Sequence, residues 1–166
     1  MKIKFLLCCL ALLLIGCGYH LPSRAELTLP GGISKLHMEQ VQDTTGEPGL
    51  QARLRSLLTE EVQRRTNAQW TEPEQSQGLL SLAIHEYQVA TSLEDVTERT
   101  VKSEARISFS ARIVDSKDGE LLWESGDITG TESFVGPEGG AAEQEAEYQA
   151  LEQAVQDLVQ RLGHTF

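Results

Sequence analysis

Four cations fall within a short stretch of this chain: Arg99, Lys102, Arg106 and Arg112. Lys102, Arg106 and Arg112 share the parity of one extended strand, so they project from one face. Such a row has two readings. One is ordinary solvation, with cross-strand pairing to acids. The other is a contact for an anion, a phosphate or a complementary partner surface. No catalytic constellation competes with it. The histidines His20, His37, His85 and His164 lack the i, i+4 spacing of a zinc helix. Gly136 to Gly140 lacks the lysine of a phosphate-binding loop. There is no Gly-x-Ser-x-Gly elbow. Acid pairs such as Glu94 and Asp95 decide nothing in a chain with 25 acids. The sequence therefore carries no expectation of catalysis, metal or cofactor.

One thiol does have a chemical assignment. Lys2 and Lys4 precede an apolar run from Phe5 to Ile15, and Gly16 stands just before Cys17. Charge, apolar run and small residue follow the order of an export signal. The run is about 11 residues, short of the roughly 20 that a spanning helix needs. Leu14-Ile15-Gly16-Cys17 resembles the bacterial lipobox. In that motif the cysteine is acylated, and cleavage before it makes it the first residue. Several acyl chains, each burying methylenes at about 0.8 kcal/mol apiece, anchor firmly. Gly18, rather than Asp, follows the cysteine, which favours the outer membrane over retention at the inner one. Residues 1–16 are thus expected to be a signal peptide. Cys8 and Cys9 leave with it, so no internal disulfide remains.

The formal charge is −11. Without Lys2 and Lys4, Lys+Arg falls from 14 to 12 against 25 acids, giving −13 for the processed chain. Such a balance argues against nucleic acid and against a polybasic grip on anionic headgroups.

These side chains need elements to hold them. Residues 17–32 contain Pro22, Pro30, Gly31 and Gly32 and read as a tether lying along the edge of a domain over 33–166. A first strand is expected from Ile33 to Val41. Asp43-Thr44-Thr45-Gly46 is turn chemistry. Pro48 then suits the first turn of a helix whose stripe is Leu50, Leu54, Leu57, Leu58 and Val62. Arg64 and Arg65 suit its C-terminal dipole. Thr66 to Gln77 reads as a polar loop, in which Trp70 would cover a core edge, the commoner role, or contact a partner. A second strand runs from Gly78 to Leu93, with a phase shift that predicts a bulge near His85 or Glu86. Leu93 to Thr100 reads as a charged turn. Val101 to Val114 alternates strictly, a long strand with one wet face. Asp115 to Gly119 is a hairpin turn, and Glu120 to Thr131 returns as a strand. A helix from about Ala142 to Leu162 follows, with Gly163 placed to end it. The order β-α-β-β-β-α predicts an α+β two-layer sandwich, with two helices packed on one face of a mixed four-stranded sheet.

Several of these segments resemble the lipopolysaccharide-assembly lipoproteins, the LptE family. They are Cys17-Gly18-Tyr19-His20-Leu21 with Leu29-Pro30, then Glu47-Pro48-Gly49-Leu50 opening an Arg-rich helix. Gly119-Glu120-Leu121-Leu122-Trp123-Glu124 is similar to the family's turn and strand, and the last helix carries Ala150, Leu151 and Leu162. The resemblance implies a non-enzymatic lipoprotein that plugs a large LptD-like outer-membrane β-barrel and assists its assembly. It also implies help in delivering lipopolysaccharide to the outer leaflet, with binding through basic residues. The strongly acidic chain departs from that pattern. By chemistry alone, the candidates are Arg99, Lys102, Arg106, Arg112 and, at the hairpin tip, Lys117. Few aromatics and charge alternating outward suit a polar barrel lumen. Two other readings stay open. One is a lipoprotein reaching into the periplasm to activate a cell-wall synthase, which a long linker after Cys17 would favour. The other is a lipid-anchored hydrolase, which needs a pocketed catalytic constellation.

Overall fold

The computed structural model describes residues 27–94, 101–136 and 139–163. Cys17, the signal segment, most of the tether, Arg99 and the turn from Asp95 lie outside the described residues. Five strands form one mixed sheet: β1 (Lys35–Asp43), β2 (Gln69–Trp70), β3 (Gly78–Glu94), β4 (Val101–Asp115) and β5 (Leu121–Val135). Their spatial order is β2-β1-β3-β4-β5. β1 runs parallel to both neighbours, and β3, β4 and β5 form an antiparallel meander. Two helices, α1 (Leu50–Arg65) and α2 (Ala141–Leu162), cover one face. The two-layer α+β expectation is met, with one strand more than expected. That strand is β2, a two-residue pairing of Gln69 and Trp70 with Lys35 and Leu36. Trp70 leans on the core, and its indole N–H reaches the Thr59 carbonyl at 3.4 Å.

Burial follows the two periods. Along β4, Ser103, Ala105, Ile107, Phe109, Ala111 and Ile113 are buried while Lys102, Arg106 and Arg112 are exposed. From α1, Leu50, Leu54, Leu58 and Val62 enter the core, and α2 contributes Leu151, Val155, Leu158, Val159 and Leu162. Phe109 is fully buried between these stripes. The helices close over the sheet because each has one apolar face and the sheet has one.

Three local differences have physical causes. Helix α1 begins at Leu50, because Gly49 holds φ 81° and a left-handed residue cannot continue a helix inward. Pro48 therefore sits in the preceding turn, closed by the Leu50 N–H on the Glu47 carbonyl at 3.4 Å. Strand β3 continues through Glu94, so the expected turn cannot begin at Leu93. Residues 27–32 are packed rather than free: the Leu27 N–H bonds the Arg65 carbonyl at 3.1 Å, and Leu29 and Pro30 are buried. Packing is thus already present at Leu27, ahead of residue 33.

Gly163 does cap α2, but in the right-handed region at φ −82°. Its reason is space. A Cβ there would lie 2.3 Å from Leu27 Cδ2 and 2.9 Å from its Cγ. Gly130 has a similar reason on β5, where a Cβ would lie 1.9 Å from the Ala150 carbonyl oxygen of α2.

Candidate functional site: the outer face of the sheet

The face opposite the helices is uncovered by any described element, and the alternation of β4 puts its cations there. Lys102, Arg106 and Arg112 are all exposed on it. They do not gather into a cluster. Strand rise of about 3.3 Å per residue places Lys102 and Arg112 roughly 33 Å apart, with Arg106 between them. Lys117 stands on the hairpin past Asp115, the end of β4, which the same rise puts roughly 43 Å from Lys102. The structure therefore sets these four candidates in a row along the domain rather than in one site. Arg99 is outside the described residues.

Acids accompany the row. Arg106 Nη2 meets Glu104 Oε1 at 3.3 Å, and the Lys117 N–H donates to Asp115 Oδ1 at 2.7 Å. Arg112 lies opposite Glu124 on β5 and Ser81 on β3. Among the described residues it forms no ion pair within 4.0 Å. Both partners in the Arg106 pair are substantially exposed, so that pair is worth little in water.

The middle of the face is concave. Three register shifts cross the sheet at nearly one level, between Met38 and Val41, between Ile84 and Glu86, and between Ser110 and Arg112. The second is the bulge expected near His85. Bulges bend a sheet and re-aim side chains. Here they frame a shallow depression of about 210 Å³ lined by Gln42, Ser81, Ala83, Ser110, Arg112 and Glu124. Ser81 Oγ donates to Glu39 Oε2, and Arg55 Nη2 reaches the Glu39 carbonyl at 2.8 Å.

Beside the depression, His85 Nε2 lies 2.8 Å from Ser110 Oγ and 3.8 Å from Asp127 Oδ1. The three residue types invite comparison with a hydrolytic triad. The geometry is different, because both contacts fall on the same ring nitrogen. In a triad the acid orients the imidazole from the far nitrogen. Asp127 is also 80% exposed, far from the desolvated setting that catalysis needs. His37 is a half-buried strand histidine satisfied by the Thr71 carbonyl at 2.9 Å.

Inside, two buried acids escaped the sequence reading. Glu147 is 3% exposed on α2, and Arg53 Nη2 of α1 reaches its Oε1 at 2.7 Å. Burial pushes the Glu147 carboxyl up; Arg53 pulls it down, while Glu47 and Glu143 push it up. The Tyr87 hydroxyl donates to Glu143 Oε1 at 3.3 Å. Burial, then Glu147, Glu143 and Glu47, raise its pKa strongly. Glu61 of α1 is also buried and is clamped by Arg64 and Arg65. A signal existed for both acids. Glu147 lies one turn before Leu151 on the apolar stripe, and Glu61 lies three residues after Leu58 and seven after Leu54 on its own.

A covered inner face and an open, polar, mixed-charge outer face define a small α+β contact domain. The chain belongs to the LptE lipopolysaccharide-assembly family, whose model matches residues 33–162. No curated protein matches the sequence. Solved structures share the fold at low identity. A protein of Xanthomonas campestris is 16% identical with a TM-score of 0.61, covering 81% of this chain and 86% of its own. An uncharacterized lipoprotein B from Nitrosomonas europaea is 18% identical with a TM-score of 0.59, covering 84% of this chain and 87% of its own. A hypothetical protein of Chlamydia trachomatis is 10% identical with a TM-score of 0.56, covering 78% and 95%.

Proposed function

We propose that this chain is a lipopolysaccharide-assembly lipoprotein of the outer membrane, acylated at Cys17, that docks in the lumen of an LptD-like β-barrel. There it assists the barrel's assembly and helps deliver lipopolysaccharide to the outer leaflet. The observation that carries the reading is the family match, which spans nearly the whole two-layer domain, residues 33–162. The physical character of the surface supports it. The outer face is built from hydroxyls and charges of both signs, as a lodger in a polar lumen requires. Exposed large apolar side chains are few among the described residues: Leu121, Val135 and Tyr148.

The packed root sharpens the geometry of the proposal. If Cys17 carries the lipid, only residues 18–26 separate it from Leu27. Even fully extended, nine residues span at most about 32 Å. Leu27 sits against Arg65 and Gly163, at the end where both helices finish. Lys117 and its hairpin share that end, and Lys102 occupies the far one. The row of cations thus runs away from the bilayer. Such a short reach speaks against a domain that crosses the periplasm to a cell-wall synthase.

The test is a photo-crosslinker placed at Thr131, on the outer face beside Arg106, in the full acylated chain. Extraction in mild detergent and mass spectrometry of the adduct should yield a large outer-membrane barrel, with acyl chains on Cys17. Adducts containing no barrel protein would overturn the docking reading.

A further inference from the structure

We infer that the edge of β5 over residues 127–135, which no described element pairs with, accepts an extended peptide strand bearing Lys or Arg side chains. The inference does not depend on the partner being a barrel. β5 is the last strand of the sheet, hydrogen-bonded to β4 alone among the described residues. The opposite edge is different, because β2 is only two residues long. An edge strand directs alternate N–H and C=O groups away from its ladder, and proteins usually blunt such an edge with a bulge, a proline or a lysine.

A bulge and a covering contact protect only the start of β5; beyond it the edge carries two acids. Leu122 lies against the Pro30–Gly32 turn, where a Cβ on Gly31 would sit 3.5 Å from Leu122 Cδ2. Ser125 and Gly126 form a bulge, and Arg161 Nη1 of α2 occupies the Ser125 carbonyl at 3.4 Å. Beyond it, Asp127 to Val135 pairs with Lys102 to Ser110 without a register shift. This segment contains no proline and no lysine, and its outer row is Thr129, Thr131, Ser133 and Val135. β-Branched and hydroxyl side chains at that spacing favour a cross-strand neighbour. Val135 is 59% exposed, one of three exposed large apolar side chains among the described residues. Gly130 lets the Ala150 carbonyl of α2 come so close that the helix backs the strand directly from within.

Charge selects the occupant. β5 carries Glu124, Asp127 and Glu132 and no Lys, Arg or His. Asp127 projects on the outer side, and Glu132 on the helix side, where Gln153 Nε2 bonds it at 3.1 Å. An incoming strand therefore meets a carboxylate on either face. A second copy of this chain would bring the same cation-free edge and the same net charge of −11, so the two would repel. A strand with cations at alternate positions is matched on both counts.

The test uses the full chain in mild detergent and a nonapeptide of alternating Lys and Val. Hydrogen exchange read by mass spectrometry should slow across residues 127–135 when the peptide is added. The double variant Asp127→Lys/Glu132→Lys should bind that peptide about tenfold more weakly. It should bind the Glu/Val counterpart more tightly, with an unchanged melting temperature. Three results would overturn the inference. They are no slowing of exchange, equal slowing by a peptide N-methylated at alternate residues, and equal slowing by the Glu/Val peptide. Slowing produced by concentrating the protein alone would assign the edge to self-association and refute the basic partner.

Discussion

Gly130→Ala tests the seat of α2 on the edge strand. The added methyl would lie 1.9 Å from the Ala150 carbonyl oxygen, 2.8 Å from its carbon and 3.0 Å from Ala154 Cβ. A normal carbon–oxygen contact is about 3.3 Å, so the helix and strand must part by roughly 1.4 Å. Neither partner is a flexible side chain, so no rotamer change relieves the clash. The helix also carries Ala150, Leu151, Ala154, Val155 and Leu158 into the core, and lifting it loosens all of them. Overpacking costs about 1–3 kcal/mol, and a clash of backbone on backbone belongs at the upper end. For a domain of this size, about 3 kcal/mol lowers the melting temperature by roughly 10 °C. Circular dichroism melts of the wild type, Gly130→Ala and Gly46→Ala would measure it. Gly46 has φ 76° and nothing within 4 Å of its Cβ position. Its variant loses about 1 kcal/mol from backbone strain alone. A Gly130→Ala protein melting within 2 °C of wild type would refute the close approach.

Three other perturbations follow from the same contacts. Glu147 has a raised folded pKa, so its contribution to stability is complete below the ordinary carboxylate value and lost as pH rises through the raised one. Wild-type protein should therefore lose melting temperature across that window relative to Glu147→Gln; parallel pH profiles would contradict the burial argument. Gly163→Ala keeps an allowed backbone but pushes against Leu27, so limited proteolysis should cut near residue 27 faster than in wild type, with the core's melting nearly intact. Charge reversal at Arg106 and Arg112 should weaken lipopolysaccharide binding severalfold at low salt and leave folding unchanged, because both side chains are exposed. Unchanged binding in a salt titration would remove the outer face as a ligand surface.

Strict alternation in β4 and the leucine stripe of α1 made the two-layer fold legible, because each element has one dry face and one wet one. β2 was not legible, since two residues carry no period. Nor was the start of α1 at Leu50: proline at 48 suits a helix, and only the positive φ of Gly49 shows that the helix begins beyond it. Buried Glu147 was hidden by composition. It lies in a run of Glu and Gln that looks solvated, and its burial depends on Arg53 arriving from another helix. The role of Gly163 depends on Leu27, far away in sequence.

Parity showed that Lys102, Arg106 and Arg112 share a face, but a shared face is not a shared site. A strand is long for its residue count, and the same rise that exposes all three separates them by tens of ångströms. One compact phosphate group cannot bridge such a row. An extended partner can, touching it at several points, and the mixed charge of the face fits many weak contacts better than one strong one. Anchoring acts in the same direction. Under the proposed acylation of Cys17, a root docked at Leu27 would set which end of the row stands near the lipid, so successive cations would meet a partner at successive depths. On this reasoning, moving the root should matter more than removing any single cation. Gly163→Ala, which disturbs only the root, should therefore shift the crosslinks made from Thr131. The Arg106 reversal alone should leave their positions unchanged.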